Sequence, residues 1–97
     1  MSPLSLTERP KLSPRARLQS DKVTGRPILL YPEGVLVLNP TGQAILGLCT
    51  GELTLQEIIA RLAADYQAPA EHVSKDVIAY LDRLRAINLL ETPATAG

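Results

Sequence analysis

The sequence predicts an α+β fold, a small three-stranded antiparallel sheet followed by three helices that pack on one of its faces. Two observations carry this. Short apolar stretches divided by turn residues fill positions 16–38, and apolar residues at helical spacing govern positions 40–87. With 97 residues, 45% apolar and 21% charged, the chain is one globular domain, placed at 16–91 between a flexible N-terminal arm (1–15) and a flexible C-terminal tail (92–97).

The arm is read from Pro3, Pro10 and Pro14 among Ser, Thr and charged residues without a hydrophobic period. Strands are expected at about 16–22, 27–31 and 34–38. Thr24-Gly25 separates the first two, and Tyr31-Pro32-Glu33-Gly34 has Pro at the second and Gly at the fourth position of a type I turn. Asn39 is an N-cap candidate ahead of Pro40, and Ala44, Ile45 and Leu48 recur at helical spacing, giving a helix over about 40–49. Thr54 and Glu57 stand in capping-box register before Leu55, Ile58, Ile59, Leu62 and Tyr66, the stripe of a second helix at 54–66. Val73, Val77, Leu81 and Leu84 repeat the period in a third helix at 70–87, and Asn88 suits the left-handed residue that ends it. Val77, Leu81 and Leu84 should face the core. Tyr80 flanks that stripe, as an edge-of-core aromatic or as a groove residue.

Composition excludes several function classes. A chain this short has little room for an enclosed active site. Three Tyr and no Phe or Trp leave few platforms for base stacking. Cys49 is the sole thiol and His72 the sole histidine, so neither a disulfide nor a His/Cys zinc site is expected, and Cys49 on an apolar helix face reads as a buried, inert thiol. No GxxxxGK[ST] or GxGxxG cradle is present, and no carboxylate pair shares a helix face in the manner of an acid/base dyad. No cofactor, metal or catalytic residue is therefore expected. The longest apolar run, Val77 to Leu81, is too short for a membrane span or a signal peptide. A cytoplasmic, reducing setting fits.

Two runs stand out, Ile28 to Tyr31 and Val35 to Leu38, each apolar at four successive positions. A strand with one solvated face alternates, so such a run is either covered on both faces or awaits a partner. Val35-Leu36-Val37-Leu38 is thus either a strand sandwiched by helices or an exposed edge able to accept an added strand.

The series Leu29-Leu30-Tyr31-Pro32-Glu33, then Ile45-Leu46-Gly47-Leu48-Cys49 with Gly51, Glu57-Ile58-Ile59 with Leu62 and Tyr66, Asp76-Val77 with Leu81 and Leu84, and Leu89-Leu90 resembles the coenzyme PQQ synthesis protein D (PqqD) family over about 80 residues. Thr50 and Asn88 depart from it where Asp and Gly are usual; both are tolerable in a turn or a cap. The resemblance implies a winged-helix-like, non-catalytic peptide chaperone of pyrroloquinoline quinone biosynthesis. Its partners would be the ribosomal precursor peptide PqqA and the radical S-adenosylmethionine enzyme PqqE, which cross-links a Glu and a Tyr of that peptide. The implied peptide-binding elements are Val35, Leu36, Val37 and Leu38 on the third strand and Val73, Asp76, Val77, Tyr80, Leu81 and Leu84 on the third helix. A monomer is expected, with an edge-mediated dimer as the alternative state.

A winged-helix DNA-binding regulator is the competing function, because the same elements describe that architecture. Charge opposes it: residues 1–26 carry six basic and two acidic side chains, whereas residues 52–91 carry four basic and seven acidic, so the helical part repels a phosphate backbone.

Overall fold

The computed structural model of the protein describes residues 5–91. In chain order the elements are β1 (Lys11–Leu12), β2 (Arg17–Ser20), β3 (Pro27–Tyr31), β4 (Gly34–Val37), α1 (Pro40–Gly47), α2 (Leu55–Tyr66), α3 (Ala70–Ala86) and β5 (Leu90–Glu91). β2, β3 and β4 form the expected three-stranded antiparallel sheet, in that order, and the three helices follow it. A second, two-stranded sheet joins β1 to β5, which the sequence pattern did not anticipate.

The local signals act where they stand. Asn39 caps α1, its side-chain oxygen accepting from the Gly42 amide at 2.6 Å, with Pro40 in the first turn. Thr54 and Glu57 form the reciprocal capping box of α2, at 3.1 and 2.8 Å. Asn88 adopts φ 63°, and the Leu89 amide turns back to the Leu84 carbonyl at 2.9 Å, which closes α3. Gln67, at φ 51°, does the same for α2 without the glycine or asparagine that would mark such a site.

Register divides the sheet into two unlike faces. Leu18, Leu29 and Leu36 lie opposite one another on the face that meets the helices; Leu29 is fully buried, Leu36 half-buried and Leu38 buried beyond the strand's end. On the other face Gln19, Ile28 and Val37 are in register, as are Arg17, Leu30 and Val35. The core unites Leu29 and Leu38 with Ile45, Leu55, Ile58, Leu62, Val77, Leu81 and Leu84, so the third helix does turn its stripe inward.

Composition set the domain's start at residue 16, but backbone pairing begins well before it. The Leu6 and Glu8 carbonyls accept from the Gln56 and Leu55 amides at 3.0 and 2.7 Å. The Pro10 carbonyl accepts from Gly51, the Leu12 amide donates to Cys49, and the Ser13 amide donates to Leu89. Pro10 and Ser13 are buried. With Thr54 serving Glu57 and Ile58, each of the first four amides of α2 has an acceptor, two of them from this segment. These are backbone contacts, made without any side-chain period, so a hydrophobic pattern could not announce them. Residues 1–4 of the arm and the 92–97 tail lie outside the described residues.

Candidate peptide-binding site

β4 is an edge strand, with β3 on one side and no strand on the other among the described residues. Its hydrogen-bonding direction follows from one contact: the Leu38 amide donates to the Pro27 carbonyl at 2.9 Å, toward β3. Amides on an antiparallel strand alternate, so Leu36 also donates inward, while the Val35 and Val37 amides point to the open edge. Val35 and Val37 are 52% and 65% exposed, so the apolar run is an uncovered edge rather than a strand sandwiched by helices.

Beside this edge runs a groove of about 450 Å³ whose walls are β4 and the C-terminal half of α3. Leu36, Val37 and Leu38 form one wall, and Tyr80, Leu84 and Ile87 the other. Leu84 supplies a buried floor, whereas Ile87 is left 47% exposed at the rim, an apolar side chain without cover. Arg83 stands alongside Tyr80 as the charged member of the lining.

Tyr80 is positioned by Gly42. A Cβ at residue 42 would lie 2.7 Å from the Tyr80 hydroxyl, so only glycine there lets the ring rest on the first turn of α1. Burial pushes the Tyr80 phenol up, with Cys49 adding to the shift and Arg83 opposing it, so the group stays a neutral donor.

The residues expected from the sequence divide into three sets. Leu36, Val37, Leu38, Tyr80 and Leu84 come together in the groove. Val73, Asp76 and Val77 do not reach it; they line a separate depression nearer the start of α3. Leu81 is wholly buried and can only support the floor, and Val35 presents its side chain on the open sheet face. Arg83, Ala86 and Ile87 also line the groove, beyond the residues expected from the sequence. Helical spacing from Tyr80 was the available signal, since 80, 83 and 87 share a face.

No group of three or more metal-ligating side chains occurs among the described residues. Cys49 is buried, its Sγ donates to the Ile45 carbonyl at 3.3 Å, and burial pushes its thiol up to about 12, so it is not poised as a nucleophile. No helix among the described residues is long and apolar enough to cross a membrane.

Residues 27–90 match the model of the family described as Coenzyme PQQ synthesis protein D (PqqD). The chain belongs to that family. A protein of Gluconobacter oxydans named PqqA binding protein is 40% identical over 78% of this chain and 79% of its own length. One of the same name from Methylococcus capsulatus is 43% identical over 60% of this chain, a stretch that covers 62% of that relative. In structure, the chain is similar to the PqqD truncation of Methylobacterium extorquens PqqCD, described as a functional, stand-alone RiPP recognition element. That likeness has a TM-score of 0.77 and 30% identity, over 91% of this chain and 94% of the other. PqqD from Xanthomonas campestris is similar at a TM-score of 0.58 and 31% identity, over 91% and 98%.

Proposed function

We propose that this protein is a non-catalytic, cytoplasmic chaperone of pyrroloquinoline quinone biosynthesis that binds the precursor peptide PqqA as an added strand on β4 and presents it to the radical S-adenosylmethionine enzyme PqqE. One observation carries the reading: outward amides at Val35 and Val37 border an apolar groove whose second wall is α3. An extended peptide placed there pairs its backbone with the free edge and lowers alternate side chains between Leu36, Leu38, Tyr80 and Leu84. Backbone pairing supplies affinity and the groove supplies selectivity, neither of which needs a reactive group. The names borne by the relatives from Gluconobacter and Methylococcus support PqqA as the peptide.

The DNA-binding alternative gains nothing from α3, where Glu71, Asp76 and Asp82 cancel Lys75, Arg83 and Arg85. The deciding experiment is an NMR titration of the labelled protein with PqqA. Shifts concentrated at residues 35–38 and 80–87 are the expected result; shifts confined elsewhere, or none, would remove this site. Presentation is tested separately, by whether PqqE cross-links PqqA only when the protein is added.

A further inference from the structure

The depression that collects Val73, Asp76 and Val77 is distinct from the β4 groove and has a cavity volume of about 180 Å³. Its floor is apolar and buried, made by Ile45, Leu62 and Val77, while Thr41 and Asp76 at its rim are exposed. An apolar cavity of about 150 Å³ is enough to hold benzene, so this one has room for a phenyl ring or a branched aliphatic side chain. It also lies next to the groove along α3. One wall of both sites is α3; the other passes from Leu38, at the end of the groove, to Thr41, three residues on in the first turn of α1. Between them along α3 stands Tyr80, whose ring rests on Gly42.

From these observations we infer that the depression is a second anchor pocket for the same bound peptide, taking one aliphatic or aromatic side chain from the segment that runs on past Leu38. The inference rests on the β4 reading and adds a spacing rule to it. The α3 residues of the pocket, 72 to 77, and the groove residues of α3 and its C-cap, 80 to 87, have midpoints nine residues apart. At about 1.5 Å of rise per residue that is about 14 Å along the helix, which extended chain covers in about four residues at about 3.3 Å each. An even separation puts both side chains on the same side of the peptide, the side that faces α3. The protein therefore selects a pair of apolar residues about four apart, rather than one.

The test uses a synthetic PqqA peptide encoded in the same genome as this chain, scanned with alanine, with Kd read by fluorescence anisotropy. Two apolar positions about four residues apart should each weaken binding on the order of tenfold or more, as expected when a buried large side chain is lost. Two variants fill the pocket from different elements, Ala68→Leu in the α2–α3 turn and Val73→Phe in α3, with folding checked by thermal melting. Each should weaken binding on the same order and make it insensitive to alanine at one anchor while leaving the other anchor's effect intact. If the filled variants bind as the unaltered protein does while Val37→Pro weakens binding, the pocket is unused and the β4 reading survives. If Val37→Pro also binds normally, both fall. The unaltered protein gives a readout that needs no variant: the Thr41, Ala68 and Val73 amides should shift on titration, and still amides there overturn the inference.

Discussion

Adjacent positions on β4 should respond oppositely to proline. Leu36→Pro removes an amide that donates to β3, whereas Val37→Pro removes one that points to the open edge, as the Leu38 to Pro27 hydrogen bond fixes. Within the ladder, proline removes a hydrogen bond and leaves its partner carbonyl without a donor, at about 1–3 kcal/mol, and a domain of this size loses about 4–8 °C of Tm per kcal/mol. Leu36→Pro should therefore melt roughly 4–24 °C lower, or not fold. On the open edge proline is tolerated, so Val37→Pro should keep its circular dichroism spectrum and most of its Tm. Its deficit should appear in binding: one lost hydrogen bond of about 0.5–1.5 kcal/mol raises the Kd for PqqA by about 2- to 13-fold. Val37→Ala, which keeps the amide, separates the side chain's share. Unfolding by Val37→Pro with folding of Leu36→Pro would show that the register is shifted by one. Normal binding by a folded Val37→Pro would mean that the peptide does not pair here.

Leu81 is wholly buried, so Leu81→Ala should cost about 2–5 kcal/mol in a urea titration; a near-neutral value would place that stripe outside the core. Deleting residues 1–10 removes the acceptors of the Leu55 and Gln56 amides, and at about 1 kcal/mol for each lost cap Tm should fall by several degrees, contrary to what an arm free of the domain would give. Gly42→Ala should leave Tm within a few degrees yet weaken PqqA binding, because the Tyr80 ring must move off α1; unchanged affinity would show that Tyr80's placement is immaterial. Folded Cys49 keeps its proton up to about 12 against an ordinary 9.0, so its contribution is full below pH 9 and is lost between pH 9 and 12, at about 1.4 kcal/mol per unit. Tyr80 adds in the same direction at higher pH, and Cys49→Ala should flatten the decline between pH 9 and 12 seen in stability measurements.

What the sequence made legible was what neighbouring residues decide between themselves. Asn39 with Pro40, Thr54 with Glu57, and Asn88 each satisfy or end a helix through atoms a few residues away, and all three act as read. The run Val35 to Leu38 was legible as either a sandwiched strand or an exposed edge and not as one of them, because apolar residues on both faces carry no mark of which is covered. Which amide points outward is set by the pairing of Tyr31 with Gly34 across the turn, a register that no residue type announces. The resemblance places Val73, Asp76 and Val77 with Tyr80 on one helix, yet they line a separate depression whose other walls come from α1 and α2, packing that no residue on α3 announces. Arg83 and Ile87 lie off the inward stripe that ends at Leu84, on the flank of Tyr80, where the apolar period does not reach them.

The pairing of Lys11 with Glu91 joins positions about 80 residues apart, whereas the β3–β4 hairpin closes over two. The entropy lost on closing a loop grows with its length, so the order of assembly is unequal: hairpin and helices first, terminal clasp last. What docks last is expected to open first. Release of the β1–β5 clasp would free the Leu12 and Ser13 amides together with those of Leu55 and Gln56, which residues 6–8 hold, and leave the β4–α3 walls standing. Native-state hydrogen exchange should then report two populations, a clasp unit that exchanges through partial opening and a groove unit that exchanges only through global unfolding. The surface that would receive a peptide is thereby insulated from the opening of the β1–β5 clasp.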